Sequence, residues 1–148
     1  MSYTYLRYHV TFSTRDREPI IKTEWREELH RYVGGIVHGE RGRLIAIDGI
    51  ADHIHMFLST RSDQAIADII GKVKCNSSGW IHQRWTNGAC FHWQEGYGAF
   101  TVSRSGEAEV INYIKNQAKH HRKIDFKDEF RKLLKEHGIK FDERYIWK

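Results

Sequence analysis

Apolar and polar positions alternate loosely from Tyr3 to Thr14, with Leu6, Tyr8, Val10 and Phe12 set against Tyr3, Tyr5, Arg7, His9 and Thr11. A period of two with two substantial faces predicts a strand in the interior of its sheet. Arg15-Asp16-Arg17-Glu18-Pro19 breaks the pattern. The period then lengthens. Trp25, Leu29, Tyr32 or Val33, and Ile36 form a stripe at helical spacing. Thr23 is its candidate cap, and Glu24, Glu27 and Glu28 supply the charge a helix N-terminus favours. After Gly39-Glu40-Arg41-Gly42, residues Arg43 to Ile50 read as a second strand. A tight turn at Ala51-Asp52 joins it as a hairpin to a third, His53 to Ser59. A helix opening at Ser62 or Asp63 carries Ile66, Ile69, Ile70, Val73 and Ile81, and its small residues Gly71, Ser77, Ser78 and Gly79 leave room for close approach. Trp85 to Gly96 is a loop with Asn87-Gly88 as a turn signal, and Gly98 to Ser103 is the last strand.

The order strand, helix, strand, strand, helix, strand predicts an α+β, ferredoxin-like (βαββαβ) fold: an antiparallel sheet with two helices on one face. Two further helices follow. One starts at Ser105 with Glu107 and Glu109 in its first turn, buries Val110, Ile114 and Ala118, and reads as continuous through His121. The other is capped by Asp125, buries Phe126, Phe130, Leu133 and Leu134, and stops at Gly138. The tail from Phe141 carries Tyr145 and Trp147 and is expected to pack. With no repeat, linker or low-complexity segment, residues 1–148 are expected to form one domain.

On the third strand Ile54, Met56 and Leu58 point one way and His53, His55 and Phe57 the other, which predicts a half-buried strand. Two neutral imidazoles side by side on a sheet can share a divalent cation. In a chain with ten histidines a chance pair explains the spacing equally well. In the helix from Ser105, Tyr113, Gln117 and His120 fall in one narrow arc at about 100° per residue, beside the apolar stripe. Such an arc can look into a cleft over the histidine strand; the alternative is a boundary tyrosine and a surface glutamine.

Charge narrows the partner class. The net charge is +5, and nine Lys/Arg against five Asp/Glu lie between Arg61 and Lys123. A basic region interleaved with Trp, Tyr and Phe suits a polyanion with stackable bases, as it also suits a solvated basic surface. Cys75 and Cys90 are the only cysteines and form no CxxC, which argues against a disulfide scaffold or zinc finger. Met1 to Tyr5 has no apolar signal core and no run approaches a membrane span. The expectation is a cytoplasmic protein, associated with the nucleoid when acting.

Three runs carry a family resemblance: Asp-His-Ile-His-Met-Phe-Leu at 52–58, Gly-Tyr-Gly-Ala-Phe-Thr-Val-Ser at 96–103, and Val-Ile-Asn-Tyr-Ile-Lys-Asn-Gln at 110–117. In this order, and in so short a chain, they resemble the small single-tyrosine transposases of bacterial and archaeal insertion sequences, members of the histidine-hydrophobe-histidine (HUH) nuclease superfamily. The similarity runs from Tyr8-His9-Val10-Thr11-Phe12 to Asp142-Glu143-Arg144-Tyr145-Ile146-Trp147. Ala51 stands where members usually have Pro, which alters a turn and not a ligand. The resemblance implies that His53 and His55 are metal ligands, Tyr113 the nucleophile and Gln117 the third protein ligand. It also implies a homodimer in which the tyrosine helix of one subunit can serve the histidines of the other, and a hairpin-bearing single-stranded DNA substrate at element ends.

The chemistry is consistent with that assignment. A Tyr hydroxyl, with a pKa near 10, is a poor nucleophile unless a cation polarises the phosphodiester it attacks. A site of two imidazoles and an amide oxygen, without thiolate, favours Mg²⁺ or Mn²⁺. Attack by Tyr113 would give a 5′-phosphotyrosine and a free 3′-hydroxyl, so the bond energy is kept. No Walker motif or other nucleotide-binding loop is present. Lys72, Lys74, Arg84, Arg104, Lys115, Lys119 and Arg122 are candidate phosphate contacts, with Trp80, Trp85, Phe91 or Trp93 available for stacking or for the core. Three rival readings stand beside this one: a catalytically inactive single-stranded nucleic-acid binding module, a metal-dependent hydrolase with no covalent step, and a domesticated nuclease acting on chromosomal repeats. Tyr97 and Tyr145 also remain open as nucleophiles on spacing; the helix arc and the motif favour Tyr113.

Overall fold

The computed structural model describes residues 1–85 and 91–148. Asn87-Gly88 and Cys90 therefore lie outside the described residues. Four strands form one antiparallel sheet in the order β2-β3-β1-β4, from β1 (Arg7–Ser13), β2 (Arg43–Ile50), β3 (His53–Ser59) and β4 (Gly98–Thr101). The ferredoxin-like order puts β1 between β3 and β4, as its two substantial faces predicted. Tyr3 to Leu6 stay outside the strand, because β3 ends opposite Arg7.

Helices α1 (Thr23–Gly39) and α2 (Ile66–Arg84) pack on the face formed by Val10, Phe12, Ile54, Met56 and Leu58. They contribute Trp25, Leu29, Val33 and Val37 from one and Ile69, Ile70, Val73 and Ile81 from the other. Val33 rather than the exposed Tyr32 carries the stripe. Neither helix begins with a side-chain cap: Lys22 and Ala65 occupy the cap positions, so Thr23, Ser62 and Asp63 do not act there. The small Ser77 does admit a close approach, since the Trp93 indole donates to its hydroxyl at 2.9 Å. Phe91 and Trp93 are core residues, and Trp80 and Trp85 stack on Tyr32 and Trp25.

The opposite face is covered as well. There α3 (Glu107–Lys115), the single turn α4 (Gln117–His120) and α5 (Phe126–Glu136) lie over Phe57 and Phe100. This corrects the expectation of a half-buried β3. His53 to Leu58 are all buried, because helices close both sides of the strand. The continuous helix expected through His121 breaks at Asn116 (φ −106°, ψ 26°). The break changes the phase, so Gln117 turns fully inward while Ala118, expected in the stripe, is exposed. Ser105 belongs to a short 3-10 turn ahead of α3 rather than capping it. In the tail, Ile146 and Trp147 pack against Phe130 and its neighbours, whereas Tyr145 stays exposed.

Asp125 caps α5 as expected, its Oδ1 accepting from the Asp128 amide at 2.8 Å. At the other end Gly138, at φ +65°, lets the chain leave the helix in the left-handed region. Asp125→Ala is expected to cost about 1 kcal/mol in urea unfolding, the usual worth of an N-cap side chain. A second expectation concerns His30 on α1. Burial, with help from the Arg26 charge, pushes its pKa down from 6.5 to about 4. Below 6.5 the unfolded chain takes up a proton that the native His30 refuses, so stability declines as pH falls from 6.5 to 4 and then levels off. The slope of Tm against pH in that window should shrink in His30→Leu.

Candidate active site

Three segments meet under α5. The interior strand β3 offers His53 and His55, the stretch after the Asn116 break offers Gln117 and His121, and α5 offers Glu129. His53, His55 and Gln117 have no exposed surface, and Glu129 is 1% exposed. His53 Nδ1 lies 2.7 Å from Asp52 Oδ1, and its Nε2 lies 3.0 Å from Gln117 Oε1. His55 Nε2 meets Glu129 Oε1 at 2.8 Å, while its Nδ1 meets His9 Nε2 at 2.8 Å. His121 Nε2 reaches the same Glu129 oxygen at 3.0 Å. The Tyr113 hydroxyl donates to Glu129 Oε2 and lies 3.4 Å from His120 Nε2. The structure thus brings Tyr113, His53, His55 and Gln117 into one cluster within a single chain.

The electrostatics follow from burial. His55 is pushed down to about 4 and His9 to about 3, both chiefly by loss of water, so each is neutral at pH 7 with a lone pair to offer. Burial opposes charge on Glu129, but hydrogen bonds from His121 and His55 outweigh it and hold the carboxyl far below its usual range. His121 is raised because the Glu129 carboxylate overcomes its burial. Burial and then the Glu129 charge push Tyr113 well above the usual phenol range.

The donor set fits a cation. His53 faces an acceptor on each ring nitrogen, the Asp52 carboxylate on one side and Gln117 Oε1 on the other. A neutral imidazole has one N–H, so the second contact needs another proton or a metal ion. His53, His55, His121 and Glu129 offer ligand atoms that all lie within 4.8 Å of one another.

Tyr113 separates two clefts. One of about 430 Å³ is lined by His9, Phe100, Val102, Glu129 and His137, and the other by Asn112, Asn116, Lys119, His120 and Lys123. The proposed phosphate contacts divide accordingly. Lys119 lines the second cleft. Arg104, Lys115 and Arg122 are exposed on the same side of the sheet, in the segments around α3 and α4. Lys72, Lys74 and Arg84 belong to α2, across the sheet from the histidines. Lys74 is also engaged, its ammonium donating to the Gln94, Glu95 and Gly96 carbonyls at 2.7–2.9 Å, and burial lowers its pKa to about 8. Arg84 pairs with Glu28 at 3.2 Å.

Sequence reasoning did not single out Glu129, His121 or His9 as site residues. Glu129 had a signal: it sits inside the arc of Phe126, Phe130 and Leu133, where a carboxylate is out of place unless it is paired. His9 had one too, lying on the face of β1 that pairs alongside the histidine face of β3.

Fold and site together define the class. The architecture is similar to that of a REP-associated tyrosine transposase solved bound to a REP hairpin, at a TM-score of 0.62 and 13% identity over 82% of this chain and 73% of that one. Residues 2–117 match the model of the "Transposase IS200 like" family. The chain belongs to that family. The transposase of insertion sequence element IS200 from Salmonella typhimurium is 24% identical over 116 residues, covering 75% of this chain and 76% of that protein. The ISDra2 transposase TnpA of Deinococcus radiodurans is 25% identical over 120 residues, covering 76% and 84%.

Proposed function

We propose that this transposase is a metal-dependent single-strand DNA endonuclease and strand transferase of the HUH type, with Tyr113 as its nucleophile and homodimeric in action. The observation that carries the reading is the Tyr113 hydroxyl, held beside two buried, side-by-side histidines and an inward-turned Gln117 oxygen. His53, His55 and Gln117 would hold Mg²⁺ or Mn²⁺. Bound there, the ion would polarise the scissile phosphodiester and stabilise the charge that develops on it. Tyr113 Oη forms the new bond to phosphorus, the bond to the 3′-oxygen breaks, and that oxygen leaves as a hydroxyl after taking a proton. The phenolic proton has an acceptor in place, since Glu129 Oε2 already takes the hydrogen bond. Attack by a second 3′-hydroxyl reverses the step and joins strands without ATP.

The neighbour solved on a REP hairpin suggests a hairpin-bearing single strand as substrate. Lys119 and Lys123 line a cleft that Tyr113 borders and offer phosphate contacts there. In the folded chain Tyr113 stands over its own chain's His55, with ring centroids 5.7 Å apart, which favours assembly of the site in cis.

The test is trapping of a covalent adduct on a denaturing gel. The protein is incubated with labelled single-stranded hairpins and Mn²⁺, with EDTA, duplex DNA and Tyr113→Phe as controls. An adduct that needs the metal, the single strand and Tyr113 is expected. Cleavage without an adduct would move the assignment to a hydrolase, and binding without cleavage to a binding module. Mixing Tyr113→Phe with a His53→Ala, His55→Ala double variant separates cis from trans, because only trans assembly restores the adduct.

A further inference from the structure

Glu129 lies beyond residue 117, where the match to the family model ends, yet its carboxylate occupies the centre of the histidine cluster. Its Oε1 is 2.8 Å from His55 Nε2, 3.0 Å from His121 Nε2 and 3.6 Å from His53 Nε2. Its Oε2 accepts from Tyr113. An ion with ligand bonds of about 2.1 Å separates neighbouring ligand atoms by roughly 3.0–3.4 Å. The three distances from Glu129 Oε1 to the imidazole nitrogens therefore already resemble the edges of a coordination shell, and side-chain shifts that move the carboxylate off the centre would admit an ion between it and the rings.

We propose that Glu129 is an anionic ligand of the ion held by His53 and His55, with His121 beside it, and that its second oxygen keeps the Tyr113 hydroxyl next to that ion. The inference rests on the metal-dependent reading above and deepens it. A carboxylate with 1% exposure, whose ion-pair partners are all imidazoles that carry charge only when protonated, must be neutralised by protons on those rings or by a cation. A divalent ion satisfies all of these groups at once. It also relieves His53, which faces acceptors on both nitrogens. Imidazoles with one carboxylate form a donor set that suits a first-row transition ion such as Mn²⁺. The placement is rigid, because the Asp125 cap and the buried Phe126, Phe130 and Leu133 fix the turn of α5 that carries Glu129.

The test measures metal binding directly, on the full chain without DNA. Mn²⁺ affinity is read by titration calorimetry, and the coordination shell by the visible absorption of bound Co²⁺. Glu129→Gln keeps the size of the side chain, and Glu129→Asp keeps the charge in case the glutamine variant does not fold; circular dichroism checks both. In Glu129→Gln, Mn²⁺ affinity should fall by at least about tenfold and the Co²⁺ bands should move. Glu129→Asp should bind with intermediate affinity and a shifted Co²⁺ spectrum. Affinity within about threefold of the parent chain in both variants would overturn the proposal. So would weaker binding with an unaltered Co²⁺ spectrum, which would show that the charge acts through space. Failure of the functional reading looks different. Glu129-dependent Mn²⁺ binding with no DNA adduct defeats the transesterase alone, whereas adduct formation with Mn²⁺ affinity indifferent to Glu129 defeats this inference alone.

Discussion

Tyr113→Phe should lower covalent adduct formation by a factor on the order of 10⁴ or more, the scale of loss when a nucleophile is removed outright. The substitution deletes one oxygen. Its ring remains beside His9, His55 and His120, and His55 and Glu129 keep their contact at 2.8 Å. Fold and metal affinity should therefore be little changed, and binding of hairpin DNA should survive, since phosphate contacts fix the strand independently of the attacking atom. Tyr97→Phe and Tyr145→Phe serve as controls expected to cleave normally. Tyr97 is exposed with the Lys74 ammonium over its ring, and Tyr145 is exposed between Arg144 and Lys148. The measurement is the rate of adduct formation under single-turnover conditions. A Tyr113→Phe rate within tenfold of the parent chain would remove Tyr113 from the mechanism and pass the nucleophile's role to another residue, with Tyr97 and Tyr145 the first to test.

Residue periodicity made the sheet legible, because side chains on a strand must alternate and each face here meets a packed layer. Val10/Phe12 and Ile54/Met56/Leu58 pointed to the layer of α1 and α2, and that layer is where they lie. The pairing of His53 with His55 was legible for the same reason. The third layer was harder to read. Its helices were visible one at a time, but nothing in their own spacing says which face of the sheet they cover. That long-range choice makes β3 buried on both sides and carries Glu129 into the histidine cluster. The break at Asn116 was also hidden, since Ile114, Lys115, Gln117, Ala118 and Lys119 all tolerate a helix. Tertiary contact decides it, with Gln117 Oε1 taken up by His53 and its amide returned to the Tyr113 carbonyl at 3.3 Å. Helix caps missed in both directions. Asp125 caps its helix, while Thr23 falls one residue after the cap position of its helix and Ser105 one residue before that of α3, where sequence alone resolves boundaries poorly.

The position of His53 depends on a residue across the hairpin with no chemistry of its own. Gly49 of β2 pairs with Ile54 of β3, and a Cβ added there would lie 2.2 Å from the His53 carbonyl oxygen and 2.9 Å from the Ile54 Cα. Both atoms are backbone, so no rotamer change relieves the overlap and the two strands must separate beside the first histidine. Gly49→Ala is therefore expected to cost about 4 kcal/mol or more in urea unfolding, in the range reserved for overpacked or strained sites. Gly71→Ala is the matching control. It lies on exposed helix with no heavy atom within 4 Å of the new carbon, and it should stabilise by about 0.5–1 kcal/mol. Any folded Gly49→Ala protein should also bind Mn²⁺ more weakly, because His53 moves with its carbonyl while Gln117 and Glu129, on other segments, do not follow. Equal stability of Gly49→Ala and the parent chain would mean that the hairpin opens to take up the added carbon without loss. In that case the β2–β3 register would not set the histidine pair, and the burden of placing His53 would fall on its pairing with Ser13 of β1 and on the Asp52 carboxylate.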